Sequence, residues 1–220
     1  MNAFPAIYGG YYLGFGAEWF RADFEDHDWF CGKLSKHFAA GSQLGWFSLV
    51  GIANDPQDSC GPMGVGDLLM ASENDDLIAF LRLLLNARRH VLLDYFVDGH
   101  LMRLPVPSPE PPSLMQSWPG GGRPLLDYDS VVQGAWKLDD SNSVLFFLIG
   151  TTTDSYPTTL TMDLSLWGYS SVNSQFLLET IASTGEITWR ERVHGSTLNK
   201  AITVPPRGIL MYKITPVSSN

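Results

Sequence analysis

The sequence predicts a short α/β segment over residues 1–104, a Pro/Gly-rich linker over residues 105–126 and an antiparallel β-sandwich over residues 127–217. Two observations support this division. Before the linker, two amphipathic helical patterns alternate with two apolar strand patterns, and after it short strand patterns follow one another with turn residues between them. Hydrophobic residues make up 45% of the chain and charged residues 17%, a composition that can build a core.

The first strand and the first helix are predicted from apolar patterning. Residues 6–15 are nearly continuous in apolar and aromatic side chains, with glycines that admit close approach of another backbone, so they are predicted to form a buried strand. A helix is predicted over residues 27–40, where Phe30, Leu34 and Phe38 recur at every fourth position and form one apolar face. Acidic residues begin this helix and basic residues end it, as suits the helix dipole.

A second strand and a second helix follow. Residues 44–50 are predicted to form another buried strand, and leucines that recur on one face predict a helix over residues 74–93. Ser72, followed three residues later by Asp75, matches a capping box near the start of this helix. The order strand, helix, strand, helix is typical of a parallel β/α protein.

Composition changes at the linker. Residues 105–124 hold seven prolines and three consecutive glycines, which predict a linker or an extended strap over a surface. Beyond this stretch, short runs of alternating apolar and polar residues are separated by turn signals at intervals of about 8–12 residues, the pattern of a sandwich or jelly roll. Strands are predicted at residues 130–138, 144–151, 158–164, 175–181, 186–193, 198–204 and 209–214.

Charge and residue spacing exclude several partners. The formal net charge of -9 would repel phosphate backbones, so we expect no nucleic-acid partner. No apolar run approaches the roughly 18 residues of a membrane span, so no membrane association is predicted. The histidines and the two cysteines, Cys31 and Cys60, lack the spacing of metal ligands. The glycines at 120–122 lack the lysine that follows a phosphate-binding loop, and we expect neither a metal nor a cofactor.

Four stretches resemble glycoside-hydrolase-like (β/α)-barrel proteins. Residues 4–12, with the sequence FPAIYGGYY, resemble a late barrel strand, and residues 41–46, GSQLGW, resemble the last one. Residues 95–103, YFVDGHLMR, resemble the end of the final barrel helix and the crossover that follows it. Residues 204–212, VPPRGILMY, resemble the closing strand of the C-terminal sandwich in barrel glycosidases. The four stretches occur in the family's order and together span nearly the whole chain.

The resemblance implies that residues 1–104 are the last strands and helices of an incomplete (β/α) barrel. A whole barrel takes roughly 250 residues, and only about 100 precede the linker here. Members of this family carry their catalytic carboxylates on earlier and middle strands. These carboxylates are therefore expected to lie before Met1, so no residue of this chain is assigned as catalytic and the chain alone is expected to be inactive.

Three hypotheses about function stay open. The chain is a portion of a carbohydrate-active glycoside hydrolase-like protein, or an independent carbohydrate-binding or structural module, or a truncated gene product without activity. Carbohydrate is the expected ligand. The expected protein partner is the missing N-terminal barrel half or, by self-association, a second copy of this chain, because a barrel cut before its last strands leaves strand edges unpaired.

The candidate substrate-binding residues are Tyr8, Tyr11, Gln43 and Trp46. In the barrel that the resemblance implies, side chains at the carboxyl ends of the strands converge on one mouth. There the aromatic rings can stack on the apolar face of a pyranose, and the Gln43 amide can bond a hydroxyl. Packing of the same four residues in the interior is the alternative.

Two further groups of residues are candidates for function. Acidic residues between the first strand and the first helix are candidates for catalysis, although a solvated loop and the charges of a helix N-terminus also account for them. Tryptophans of the sandwich are candidates for a sugar-binding platform, although core packing is favoured. The acidic residues are Glu18, Asp23, Glu25, Asp26 and Asp28, and the tryptophans are Trp136, Trp167 and Trp189.

Overall fold

The structure, a computed structural model, describes residues 15–20, 27–49, 75–116, 126–169 and 175–217. Within these ranges, helices cover one face of a six-stranded antiparallel sheet, and a three-stranded antiparallel sheet covers the other face. The strands are β1 (Phe15–Phe20), β2 (Gln43–Leu49), β3 (His100–Leu101), β4 (Val106–Ser108), β5 (Ser113–Gln116), β6 (Leu126–Asp129), β7 (Val131–Leu138), β8 (Ser143–Gly150), β9 (Tyr156–Asp163), β10 (Gln175–Ile181), β11 (Ile187–His194), β12 (Thr197–Val204) and β13 (Ile209–Pro216). The helices are α1 (His27–Ala39), α2 (Asp75–Ala87) and α3 (Leu93–Asp98), with a π-helical turn at Arg88–Leu92 and a 3₁₀ turn at Leu164–Trp167.

A parallel β–α–β unit begins the described chain. β1 and β2 lie side by side, with Phe15 opposite Gln43 and Phe20 opposite Leu49, and α1 connects them. The predicted apolar face of α1 is buried, and the parallel order predicted for this unit is confirmed. The described first strand starts where the predicted one over residues 6–15 ends, and residues 6–14 lie outside the described ranges. Two parallel strands do not define a barrel, so the incomplete barrel stays a prediction.

The second helix is longer than its sequence pattern predicts, because a π-helical turn continues it. Buried residues recur along α2 at helical spacing, from Leu77 to Ala87. The wider turn at Arg88–Leu92 shifts the buried stripe by about one position, and Tyr95 and Phe96 then continue it to the end of α3. Among the described residues, no helix has the length and apolar character needed to span a membrane.

The six-stranded sheet contains β8, a strand whose residues are nearly all apolar. Its strands lie in the order β11-β10-β13-β8-β7-β3, and all of its pairs are antiparallel. Every residue of β8 is buried, because helices cover one face of this central strand and a second sheet covers the other. A strand covered on both faces needs no alternation of polar and apolar side chains. The seven predicted strands of the sandwich agree with the observed ones to within two residues at each end.

Two hydrophobic cores lie on the two faces of this sheet. Alternate residues of β8 contribute to each, because successive side chains of a strand point to opposite faces. The core between the helices and the six-stranded sheet includes Phe30, Leu34, Phe38, Phe80, Leu84, Phe96, Trp136, Leu145, Phe147 and Met211. The core between the two sheets includes Val144, Phe146, Leu148, Leu160, Met162, Trp167, Phe176, Leu178, Ile202, Val204 and Tyr212.

Edge-to-face aromatic contacts join the helices to the sheet. The Phe38 ring centroid lies 5.5 Å from that of Phe96 and 5.6 Å from that of Phe147. Phe96 in turn packs against Trp136 at 5.1 Å. Gly134, opposite Phe147 on β7, makes room for the Phe147 ring, since a β-carbon at residue 134 would collide with it. The segments before and after the predicted linker therefore share one core.

The described part of the Pro/Gly-rich stretch lies along the sandwich as an extended strap. Val106–Ser108 forms an outer strand of the three-stranded sheet, whose order is β12-β9-β4. Proline is tolerated there because an outer strand needs no amide hydrogen on its free side. Ser113–Gln116 pairs with Leu126–Asp129 as a separate two-stranded sheet. The division into domains at residues 104 and 127 stays a prediction.

Candidate functional site

The predicted sugar-binding residues fall partly outside the described structure. Gln43 is the first residue of β2, and Trp46 stands three residues further along the same strand. The carboxyl ends of β1 and β2 are at Phe20 and Leu49, so the backbone of Gln43 lies at the opposite end of the strand pair. Tyr8 and Tyr11 lie outside the described ranges. The structure therefore places Gln43 and Trp46 on one strand, and the shared rim of four residues stays a prediction.

One of the acidic candidates is held in an ion-pair cluster. The Asp28 carboxylate accepts a hydrogen bond of 2.8 Å from Nη2 of Arg207, and Nη1 of the same guanidinium contacts Asp76. His27 Nδ1 lies 3.4 Å from the Asp76 carboxylate. Glu18 belongs to β1, while Asp23, Glu25 and Asp26 lie outside the described ranges.

The Arg207 cluster joins three parts of the fold. Asp28 lies in the first turn of α1 and Asp76 in the first turn of α2, where carboxylates also favour the helix dipole. Arg207 belongs to the turn between β12 and β13 and its side chain is 14% exposed. It contacts one oxygen of each carboxylate and so bridges the starts of the two helices. We therefore assign this cluster to the attachment of the helices to the sandwich, and call it the Arg207 clamp.

The three tryptophans of the sandwich have different environments. Trp136 is 3% exposed, and its indole nitrogen donates to the Ala39 carbonyl at 3.1 Å. Trp167 is 2% exposed, and its indole nitrogen donates to the Arg103 carbonyl at 2.7 Å. Core packing is confirmed for these two. Trp189 is 40% exposed, so it is the member of the group that presents an aromatic surface to solvent.

A lysine that is paired with a glutamate lies over the exposed indole of Trp189. The Lys200 ammonium lies 3.9 Å from the centroid of the Trp189 ring and donates a 3.1 Å hydrogen bond to Glu191. Lys200 belongs to β12, whereas Trp189 and Glu191 belong to β11, so these contacts link the two sheets. Both strands are outermost in their sheets within the described structure. We call Trp189, Glu191 and Lys200 the Trp189 patch.

A shallow groove of about 490 Å³ opens at the three-stranded sheet. Its lining includes the exposed hydroxyl residues Ser108, Thr159 and Thr203, together with Pro109 and Pro157. Hydroxyl groups can bond a polar ligand, but among the described residues that line the groove none is acidic, basic or histidine. The groove therefore offers contacts and no acid–base chemistry.

Among the described residues, no cluster of three or more histidine, cysteine, aspartate or glutamate side chains is arranged to hold a metal ion.

Burial raises the pKa of Tyr95, Tyr169 and Tyr212 above the usual tyrosine range. Burial also lowers the pKa of Arg88, whose guanidinium donates to the Gly41 and Ser42 carbonyls just beyond the end of α1. These groups serve packing and capping, and none lines the groove or belongs to the Trp189 patch.

Sequence reasoning missed the roles of Arg207 and Lys200. Arg207 and Asp28 are 179 positions apart in the chain, and no local pattern connects them. Lys200 falls in the same row of alternate residues along β12 as Leu198, Ile202 and Val204, so it interrupts an otherwise apolar row that faces inward. That break in the pattern was a usable signal for a buried charge with a partner.

Comparisons with known proteins give one clear sequence similarity. No family model matches the chain. A protein of Monosiga brevicollis named "Putative glycoside hydrolase 22789" is 34% identical over 152 residues. This similarity covers 68% of the chain but only 13% of the Monosiga protein. The chain thus resembles a small segment of a protein that is named as a glycoside hydrolase.

Solved structures overlap the chain more loosely. A maltogenic α-amylase, AmyB from Thermotoga neapolitana, aligns over 90% of this chain and 41% of its own, with 12% identity and a TM-score of 0.42. An α-galactosidase from Saccharomyces cerevisiae, solved with raffinose, aligns over 88% of this chain and 44% of its own, with 12% identity and a TM-score of 0.36.

Proposed function

We propose that this chain is a portion of a carbohydrate-active, glycoside hydrolase-like protein, and that it does not hydrolyse glycosides by itself. The observation that carries the proposal is the 34% identity to a segment of the Monosiga protein named as a glycoside hydrolase. The parallel β1–α1–β2 unit ahead of antiparallel sheets supports it. In this proposal residues 1–104 are the last strands and helices of a barrel, and residues 127–217 are the sandwich that follows.

The contacts of Asp28 and Asp76 agree with the expected inactivity. Glycoside hydrolysis usually needs two carboxyl groups that flank the bond, about 5–5.5 Å or 6.5–9.5 Å apart with room for the sugar between them. The Arg207 guanidinium binds both Asp28 and Asp76, so it occupies the space between these two carboxylates. We assign the catalytic carboxylates to a part of a longer protein outside this chain, with the missing N-terminal barrel half as the expected partner.

Binding of sugar in this proposal falls to the aromatic and amide residues of the barrel segment. Tyr8, Tyr11 and Trp46 would offer stacking faces and Gln43 an amide, none of which performs acid–base chemistry. In a longer protein that restores the barrel, we expect Trp46→Ala to weaken substrate binding by roughly 1–3 kcal/mol, from the aromatic area lost. Circular dichroism of that variant should match the wild type.

A second candidate function is a non-catalytic carbohydrate-binding or structural module. The exposed indole of Trp189 favours binding over a purely structural role, because the other two sandwich tryptophans are buried and this one is not. In this alternative the chain binds glycans without any partner that supplies catalytic groups.

Hydrolysis and binding assays test the proposal. The purified chain should release no aryl alcohol from a panel of aryl glycosides, yet neutral polysaccharides should retard it in native affinity electrophoresis. Addition of an N-terminal barrel half, encoded with the chain in a longer reading frame, should restore hydrolysis. Hydrolysis by the chain alone would contradict the proposal, as would failure of the N-terminal barrel half to restore hydrolysis.

A further inference from the structure

We infer that the Trp189 patch is a second, non-catalytic contact site for neutral glycans, located on the sandwich away from the β1–β2 unit. The inference rests on the proposed function for its class of ligand. Its location and geometry come from the described side chains of Trp189, Lys200 and Glu191 alone.

The first argument is the orientation of the patch. Trp189 and Glu191 are two positions apart on β11, so their side chains leave the strand on the same face. Val193, two positions further, is buried in the core between the two sheets. The patch therefore lies on the inner face of β11, at the side of the sandwich where β11 and β12 are the outermost strands of the described sheets.

The second argument is the fixed position of the indole. The Lys200 ammonium covers one ring face, and the same ammonium donates to Glu191. The side chain of Lys200 is only 20% exposed, so this contact is partly shielded from water, where a cation–π interaction is stronger. The Lys200 ammonium lies over the ring and Trp189 as a whole is 40% exposed, so part of its remaining surface is open to a ligand. A ring held in this way loses little conformational freedom when a ligand stacks on it.

The third argument is the polar neighbourhood. The Glu191 carboxylate is 39% exposed and can accept hydrogen bonds from sugar hydroxyls, while the Lys200 ammonium has further donors. Because these two charges neutralise one another, the patch favours a neutral ligand. A flat apolar face flanked by hydroxyl groups is the surface of a pyranose ring, and an aromatic face with adjacent hydrogen-bonding groups matches it.

The test uses the whole chain and two readouts. Soluble starch, mixed-linkage β-glucan, xylan and galactan are the neutral probes in native affinity electrophoresis, and polygalacturonate is the anionic probe. Trp189→Ala should lower the apparent affinity for a neutral probe, measured from the retardation, by about tenfold. This is the loss expected for an aromatic contact of about 1.4 kcal/mol. Leu166→Ala is the matched control, since Leu166 is an exposed apolar residue of the 3₁₀ turn, outside the patch, and should leave retardation unchanged. Trp189→Phe should restore part of the binding.

Nitrogen-15 labelling of the seven tryptophans provides the second readout. The indole N–H signal that is absent from the spectrum of Trp189→Phe belongs to Trp189. It should shift when an oligosaccharide fragment of the polysaccharide that retards the chain is added. If glycans bind but this signal stays in place and Trp189→Ala is retarded like the wild type, the inference is overturned while the proposed function stands. If no neutral probe retards the wild type, the inference is overturned, while the proposed function is still decided by hydrolysis with the N-terminal barrel half. Retardation by polygalacturonate and by no neutral probe would contradict the inference that the ligand is neutral.

Discussion

At the residue scale, Arg207 connects distant parts of the chain. Its backbone adopts a left-handed conformation with φ of 39°, which is uncommon for a residue other than glycine. Its amide donates to the Thr152 carbonyl at 2.9 Å, so the turn is fixed to the loop after β8. From this position the guanidinium reaches Asp28 and Asp76 at the starts of two helices. The cost of an unusual backbone conformation is offset by the contacts that it makes possible.

We predict that Arg207→Met lowers the free energy of unfolding by about 1–3 kcal/mol. The range lies below that of a fully buried pair because the side chains of Asp28 and Asp76 are 25% and 42% exposed and water can solvate them after the change. Urea denaturation followed by circular dichroism measures the effect. Arg82→Met, at an exposed position of α2, is the control and should change stability by less than about 0.5 kcal/mol. Equal shifts in the two variants would show that the clamp contributes nothing.

At the element scale, the second helical segment has apolar residues on both its faces. The inward face packs in the core with the six-stranded sheet. On the outward face, Leu85, Leu93 and Val97 are each between 44% and 51% exposed. Leu93 and Val97 are four positions apart and therefore neighbours on the helix surface. An apolar helix face of this kind is typical of a surface that another element covers.

The helix face gives a test of the predicted self-association. We expect the chain at micromolar concentration to sediment partly as a dimer or larger species, and the double variant Leu93→Gln/Val97→Gln to sediment as a monomer. The control is Arg89→Gln/Asp94→Gln, which alters exposed polar positions of the same segment and leaves the formal net charge unchanged. A wild-type chain that is monomeric throughout would contradict self-association, whereas association that persists in the Leu93→Gln/Val97→Gln variant would contradict this helix face as the interface.

At the scale of the whole molecule, burial of tyrosines in and around both cores makes stability depend on alkaline pH. Tyr95 belongs to the core under the helices, and Tyr169 and Tyr212 belong to the core between the sheets. The Tyr95 hydroxyl bonds Ser143 at 2.7 Å, and the Tyr169 hydroxyl donates to the Asn142 carbonyl at 2.8 Å. For all three residues, burial raises the pKa, since the phenolate would be poorly solvated inside the protein.

The sign of the pH effect follows from these pKa shifts. In the unfolded chain a tyrosine ionises near pH 10, whereas in the folded protein these three stay protonated at higher pH. Stability is therefore unaffected by them below about pH 10 and falls above it, by up to about 1.4 kcal/mol per pH unit for each tyrosine. Thermal unfolding between pH 8 and pH 11, with phenolate absorbance, measures the decline. Tyr212→Phe should make it shallower, and an unchanged slope would contradict the assignment of Tyr212.

Much of the sandwich was predictable from sequence because its information is local. Alternation of apolar and polar side chains marks a strand wherever one face meets water, and turn residues mark its ends, as in β9 and β13. The apolar face of α1 was visible for the same reason. The predicted strand boundaries lie within two residues of the observed ones because the signals that mark them are local. The register between strands, and which sheet each strand joins, depends on contacts distant in sequence.

The candidate sites show where local information ends. The sequence could name Trp136, Trp167 and Trp189 as a group but could not separate them, since exposure depends on which neighbours the fold supplies. Trp136 is covered by helices from before the strap, whereas Trp189 lies on an outermost strand. Likewise, an acidic residue such as Asp28 is recognisable in sequence, but its ion pair with Arg207 is not.

By itself, the sequence determined the parallel start, the proline-rich strap and the antiparallel sandwich, because periodicity, turn chemistry and composition act over a few residues. Only the tertiary structure decided that helices and sandwich share a core, that Arg207 binds two helix starts and that Trp189 faces solvent with Lys200 over its ring. The physical reason is that burial and ion pairing arise between residues that folding brings together. These residues are far apart in the sequence, and no local pattern connects them.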